Sequence, residues 1–192
     1  MALALIAIAL VGAVSAWLTT GRDGGRMDPA ATSPEGAHAL VALLRDRGVD
    51  VEVAQSAEDA RRAADPNSLL LIAQTYFLGD EDQLRTLAQA PGDRLLIEPD
   101  ALTRQTLAPG IRAVPLVGLG AEPNCPLPEA QHAGTVNLGV TDTYTAIADD
   151  LTLTRCYDGA LVRYRNGDNT ITVAGSADFM TNAGLLQEGN AA

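Results

Sequence analysis

The chain has 192 residues, a net charge of −11 at pH 7 and an isoelectric point near 4.4. This acidic balance disfavours binding to nucleic acid or to anionic lipid headgroups, because both require a positive field. Aromatic residues make up only 4 % of the chain, which leaves little material for stacking on bases or sugars.

The chain begins with an uncharged run, residues 2–18, made almost entirely of Ala, Leu, Ile and Val. As a helix this run would reach roughly 25 Å, at the lower edge of what spans a bilayer core. We therefore expect residues 1–19 to be a transmembrane anchor in the cell membrane, with the remainder on the extracytoplasmic face. The alternatives are a signal peptide cleaved near Ala13-Val14-Ser15-Ala16 and a buried core helix. Since no basic residue precedes the run, we expect that the start of the sequence is displaced and that a basic leader is missing.

Residues 20–32 are rich in Gly, Thr, Asp and Pro and have no apolar period, so we expect a short stalk. Residues 33–192 suit one domain with a full hydrophobic core and not comfortably two. The first predicted element is a helix over residues 34–47, because Ser33 is a suitable N-cap and Gly48 a suitable stop.

Strands and helices then alternate, joined by short links. Residues 49–53 alternate Val with acidic residues, which predicts a strand with one wet face. The apolar runs at 69–73 and 95–97 are typical of parallel strands covered on both faces. Helices are predicted at 56–64 and 80–90. The alternation indicates right-handed βαβ units in a mostly parallel sheet.

The pattern changes after residue 110. A strand at 111–117 contains a proline and is expected at an edge, and an ordered excursion with one helical turn follows at 118–134. Asp158-Gly159 and Asn166-Gly167 lie between alternating runs and predict hairpins, and a helical stretch begins near Asp178. The predicted fold class is therefore α/β: a mostly parallel open sheet flanked by helices, with a C-terminal antiparallel β-meander.

Both cysteines, Cys125 and Cys156, fall in the part expected outside the cytoplasm. An even count in an oxidising compartment indicates one disulfide, with two buried thiols as the alternative. Cys125, Glu129 and His132 also match a nucleophile, its orienter and its base in residue type. The turn after the buried strand at 69–73, however, offers no Cys or Ser at the usual nucleophile position of α/β hydrolases. We expect no enzymatic activity.

Other motifs predict neither a cofactor nor a metal. Gly118 and Gly120 begin a dinucleotide-like pattern, but its third glycine would fall at Pro123. The two histidines, His38 and His132, do not lie at a ligand spacing. The acidic residues 80–82 suit the start of a helix, with a calcium site as the alternative.

A polar cluster remains at the predicted carboxyl end of the sheet, where polar side chains follow three buried strands. Ligands favour this edge in open α/β sheets. If the chain binds a small molecule, the sequence predicts that it binds here, with an inert scaffold as the alternative. The candidate residues are Gln74, Thr75, Glu98, Asp100, Ser176 and Asp178.

Several short segments, taken in order, form a characteristic set. They are Arg26-Met27-Asp28-Pro29, Ser33-Pro34-Glu35-Gly36-Ala37, Asn124-Cys125-Pro126, Cys156-Tyr157, Gly175-Ser176-Ala177-Asp178-Phe179 with Thr181-Asn182, and Glu188-Gly189-Asn190-Ala191-Ala192. The set resembles the DUF4350 family of actinobacterial membrane proteins over nearly the whole chain. The resemblance implies an ectodomain with a flavodoxin-like or glutamine-amidotransferase-like α/β core that lacks the catalytic cysteine and has no known activity.

The resemblance also bears on partners and topology. Family genes lie beside those of MoxR-type ATPases and von Willebrand factor A-like proteins, which implies a membrane-associated assembly. Family members usually continue into a second membrane segment, so we expect a second span beyond residue 192. The leading hypothesis is a membrane-anchored, extracytoplasmic interaction or sensor domain without catalysis. The alternative is a small-ligand-binding domain or divergent hydrolase that uses the polar carboxyl edge.

Overall fold

The computed structural model describes residues 24–73, 75–116, 122–187 and 189–191. The predicted anchor at 1–19, Gln74 and the glycines at 118 and 120 lie outside these residues. Within them the helices and strands are, in chain order, α1 (His38–Asp46), α2 (Ala57–Ala63), β1 (Leu69–Ile72), α3 (Glu81–Ala88), β2 (Asp93–Ile97), α4 (Ala101–Leu107), β3 (Ile111–Leu116), α5 (Pro128–Ala133), β4 (Thr141–Ala146), β5 (Thr154–Cys156), β6 (Leu161–Asn166) and β7 (Asn169–Ala174).

The main sheet has the strand order β1-β2-β7-β6-β5. The first three strands are parallel to one another, and β7, β6 and β5 pair antiparallel. β7 therefore joins the parallel half and the meander into one sheet, while β3 and β4 form a separate antiparallel pair. The predicted class, an α/β fold with an open sheet, flanking helices and a C-terminal meander, is confirmed.

The core lies on both faces of this sheet at β2, as the apolar run at 95–97 predicts. The prediction that the run at 69–73 is also covered on both faces is wrong, because β1 is an edge strand whose Leu69 and Leu71 are exposed. Leu96 and Ile97 of β2 are fully buried, and Leu84 of α3 and Leu107 of α4 pack in the same core as Leu96. Burial of each such side chain contributes about 1.5–3 kcal/mol. The predicted α3 is confirmed, and its N-cap is Asp80, whose carboxylate accepts a hydrogen bond from the Asp82 backbone N–H at 2.9 Å.

Two predicted elements are wrong. Residues 49–53 form no strand ladder, and Val49 and Val53 are exposed; the Val51 carbonyl accepts a hydrogen bond from the Arg45 guanidinium at 2.8 Å. The alternation is a local property, whereas a strand also needs a partner edge. The helix predicted from Asp178 is replaced by two 3₁₀ turns, Asp178–Met180 and Gly184–Leu186.

Residues 24–36, here called the N-terminal arm, fold against the carboxyl end of the sheet. Met27 and Ala31 are only 3 % and 4 % exposed, and Met27 packs in a cluster with Ile97 and Ala174 at the ends of β2 and β7. Much of the arm falls within the segment predicted as a stalk. An apolar period is not required for one or two side chains to be buried, so composition alone does not reveal this packing.

The two cysteines lie together, as their even count predicts. The Sγ atoms of Cys125 and Cys156 are at disulfide-bonding distance, and the Cα atoms are 5.0 Å apart. The pair connects the segment before α5 to the end of β5, and both residues pack in a second apolar cluster with Tyr157 and Ala160.

Across the described ranges, each helix is too short or too polar to cross a bilayer.

Candidate functional site

The parallel strands β2 and β7 place Glu98 and Asp178 at the same edge of the sheet. Glu98 directly follows β2, and its backbone N–H donates to the Ala174 carbonyl at the end of β7 at 2.9 Å. Its φ of 46° lies in the left-handed region, which turns the chain out of the sheet at this point. The two carboxylates are therefore brought together, as the sequence predicts for neighbouring parallel strands.

The Arg26 guanidinium occupies the space between these carboxylates. Its Nη2 donates to Glu98 Oε1 at 3.0 Å and to Asp178 Oδ1 at 2.5 Å, and its Nη1 donates to Glu35 Oε2 at 2.7 Å. Glu98 Oε1 also accepts from the Ala177 backbone N–H at 2.8 Å. We call Arg26, Glu35, Glu98 and Asp178 the arginine cluster. It joins the N-terminal arm to the ends of two central strands.

The electrostatics of the arginine cluster favour a permanent cation. Partial burial opposes the charged form of Arg26, but the hydrogen bonds that its guanidinium donates to Glu98, Asp178 and Glu35 outweigh this effect and raise the pKa of Arg26 above the ordinary arginine value. The side chains of Arg26, Glu98 and Asp178 are 38 %, 36 % and 46 % exposed, so water screens these ion pairs substantially. The arginine cluster therefore acts chiefly through geometry, holding the arm in one position.

The other predicted site residues support this edge or lie apart from it. Thr75 is buried, and its hydroxyl donates to the Glu98 carbonyl at 2.8 Å. Ser176 is also buried, and its Oγ accepts from the Asp178 backbone N–H at 3.0 Å. Asp100 caps α4 by accepting from the Thr103 backbone N–H at 2.7 Å, so its carboxylate does not join the arginine cluster.

Sequence reasoning missed Arg26 and Glu35, the two members of the arginine cluster that the arm supplies. Arg26 was assigned to the stalk and Glu35 to the start of a helix. The available signal was the ordered set of family-like segments, since Arg26 and Glu35 belong to the first two of them.

The proposed nucleophile set around Cys125 is not assembled. Cys125 pairs with Cys156, and Glu129 forms an ion pair with Arg163 at 3.0 Å. The backbone N–H of Glu129 and the nearby Arg163 lower the pKa of the Glu129 carboxyl. Among the described residues, no group of three or more His, Cys, Asp and Glu side chains could hold a metal ion.

A buried tyrosine, Tyr144 of β4, lies near the arginine cluster. It is 1 % exposed, and its hydroxyl has no hydrogen-bond partner within the described residues. Burial raises the pKa of Tyr144, the carboxylates of Asp142 and Glu98 raise it further, and Arg104 opposes the shift. Tyr164, which donates to the Pro109 carbonyl at 2.6 Å, has a pKa that burial also raises.

Because the pKa values of Tyr144 and Tyr164 are raised in the folded state, we expect the free energy of unfolding to fall at alkaline pH. Their folded-state pKa values lie above the unfolded value of about 10, so the contribution of these tyrosines to stability is constant well below pH 10 and falls above it, by up to about 1.4 kcal/mol per pH unit for each tyrosine. Tyr144→Phe should reduce this slope, and at pH 7 it should leave stability unchanged or higher, because the hydroxyl removed is unpartnered.

Urea unfolding followed by circular dichroism from pH 7 to 11.5 measures both effects. The matched control is Tyr76→Phe, which removes the same hydroxyl from a side chain that is 86 % exposed. Equal slopes for Tyr144→Phe and the unsubstituted chain would contradict the burial of this phenol.

Comparison with known proteins gives a family and a relative. The family model described as "Domain of unknown function (DUF4350)" matches residues 29–192. The chain is 52 % identical over 190 residues to "Uncharacterized membrane protein Rv3691" of Mycobacterium tuberculosis (strain ATCC 25618 / H37Rv). The alignment covers 99 % of this chain and 50 % of that protein, so the chain spans about half the length of the curated relative it matches.

Proposed function

Since this chain belongs to the DUF4350 family, a family of unknown function, we propose its role from its own geometry: a membrane-anchored, extracytoplasmic interaction domain that acts without catalysis. The observation that carries the proposal is the arginine cluster. The edge that α/β proteins commonly use for ligands is here engaged by the chain's own Arg26. The edge therefore serves to hold the N-terminal arm.

Two further observations support a membrane location. Residues 1–19 are uncharged and long enough to anchor a domain, and the relative is named a membrane protein. The cysteine pair at bonding distance suits an oxidising compartment, which favours the extracytoplasmic face. Residues 33–192 would then form one ectodomain beside the membrane.

The outer edge of the sheet supports a role in protein contact. β1 has no neighbour on its outer side among the described residues, and its Leu69 and Leu71 are exposed. An open apolar edge without charged side chains is a common contact surface for another chain. We propose membrane-associated proteins of a MoxR-type ATPase and von Willebrand factor A-like system as partners.

A double substitution separates this proposal from its alternative, a ligand site or divergent hydrolase at the same edge. Glu98→Gln with Asp178→Asn deprives Arg26 of two charged acceptors. We expect the free energy of unfolding to fall by about 1–2 kcal/mol. We also expect trypsin to cleave after Arg26 faster, because the arm is held less firmly. Chemical unfolding and limited proteolysis measure the two effects.

The matched control is Glu58→Gln with Asp59→Asn, which removes the same charge from exposed ion pairs with Arg61 and Arg62 on α2. This control should change stability by less than about 0.5 kcal/mol. If the Glu98 and Asp178 substitutions abolish the cellular role but leave stability and cleavage unchanged, the edge is a ligand site and the proposed function is wrong.

A further inference from the structure

We propose that the carboxyl edge of the sheet faces the bilayer and that the N-terminal arm holds it there at short range. The partner of this edge is the lipid headgroup layer. The inference deepens the proposed function and rests on its anchor at residues 1–19.

The arm is fixed to the sheet by burial and by charge. Met27 is 3 % exposed, and its backbone N–H donates to the Glu35 carbonyl at 2.8 Å. The neighbouring Arg26 donates to carboxylates at the ends of two adjacent strands, Glu98 and Asp178. The N-terminal end of the arm therefore lies at the carboxyl edge.

Asn182 fixes the arm from the C-terminal side. Its side-chain amide donates to the Ala31 carbonyl at 2.9 Å and the Ser33 carbonyl at 2.6 Å, while its Oδ1 accepts from the Ala39 backbone N–H at 2.8 Å. Its backbone N–H donates to the Gly36 carbonyl at 2.7 Å. These four bonds hold the arm and the start of α1 to the segment that follows β7.

The tether left between anchor and arm is short. Four residues, 20–23, separate the end of the predicted anchor from the first residue of the arm, and Arg26 lies two residues further on. Fully extended, the seven steps from residue 19 to Arg26 span at most about 25 Å. A domain of this size has a radius of gyration of about 15 Å, so it is about 40 Å across. The tether therefore cannot bring the opposite edge to the bilayer while the arm stays in place.

Charge indicates that the tether, not lipid attraction, sets this orientation. In the arginine cluster one guanidinium forms ion pairs with three carboxylates, so the cluster is net negative, and the whole chain carries a net charge of −11. Such an edge does not attract anionic headgroups. The orientation should therefore hold in a zwitterionic bilayer.

Energy transfer to lipid tests the orientation in the full chain reconstituted in phosphatidylcholine nanodiscs. A donor dye is attached at Ala183→Cys, beside the arm, or at Asp168→Cys, in the turn before β7 at the opposite edge. Both positions are exposed, and the native cysteines pair with each other. With a short-range acceptor on the headgroups, we expect several-fold stronger transfer from position 183 than from position 168.

The energy-transfer result tests the orientation, and co-purification with nanodiscs tests the anchor. Equal or reversed transfer in protein that co-purifies with nanodiscs overturns the orientation and leaves the anchor intact. Failure to co-purify with nanodiscs contradicts the anchor and, with it, the proposed function. Arg26→Ala supplies a second variant: with the chain folded by circular dichroism, a looser arm should reduce the difference between the two positions. An unchanged difference would mean that the arginine cluster does not set the orientation.

Discussion

Reduction of the Cys125–Cys156 pair should lower the free energy of unfolding by about 3–4 kcal/mol, since the pair closes a loop with a sequence separation of 31 residues. For a domain of this size that loss corresponds to a fall of roughly 10 °C in the melting temperature. The pair connects the segment before α5 to β5, so α5 should lose its position against the sheet first. Thermal unfolding followed by circular dichroism, with and without reductant, measures the shift.

Cys125→Ser with Cys156→Ser is the control for this prediction. The double variant should melt at the temperature of the reduced protein and should not respond to reductant. Intact-mass measurement of the unreduced exported protein should show two hydrogens fewer than the dithiol. Maleimide labelling of both thiols in that sample would contradict the prediction.

Asn182→Ala should have the next largest effect, a loss of about 3 kcal/mol. The substitution removes three side-chain hydrogen bonds at about 1 kcal/mol each and leaves the Ala31 and Ser33 carbonyls without this donor. The arm should loosen, so trypsin should cleave after Arg26 faster than in the unsubstituted chain. Chemical unfolding and timed digestion measure the two results.

Two other variants test whether this loss of stability comes from the hydrogen bonds of the Asn182 side chain. Asn182→Asp keeps the acceptor for the Ala39 N–H but places a carboxylate oxygen against the Ala31 and Ser33 carbonyls, so it should destabilise the protein at least as much as Asn182→Ala does. Asn67→Ala, in an exposed turn, truncates the same kind of side chain and should be nearly neutral. If Asn182→Ala were as mild as Asn67→Ala, the arm would not be held by this residue.

The parts of the fold that follow from local pattern could be predicted from the sequence. The apolar run at 95–97 predicts β2 because a parallel strand covered on both faces has no polar side. The run at 69–73 predicts β1 as a strand but not its place at the edge of the sheet, where Leu69 and Leu71 are exposed. α4 was missed because Glu98-Pro99-Asp100 resembles a closing turn and the helix after it has only seven residues, too few to establish a period. β4 was missed because Thr dominates it and because Tyr144 is buried by packing in the assembled core.

The candidate site divides in the same way. The meeting of Glu98 and Asp178 follows from a general rule about parallel strands. Arg26 could not be predicted, because its partners lie 72 and 152 residues away in the chain and nothing local to residues 20–32 indicates them. Contacts of that separation are fixed by the assembled sheet.

The position of β7 between β2 and β6 has a consequence for synthesis and export, both of which deliver the chain from its N-terminus. Among the described strands, the central strand β7 is the last one made, so β2 and β6 have no shared partner until residue 174 has emerged. Until then the apolar edge of β2 stays open to other chains, and the arm lacks Asp178 and Asn182. A nascent chain therefore completes this sheet only after residue 174 has left the ribosome or the export channel.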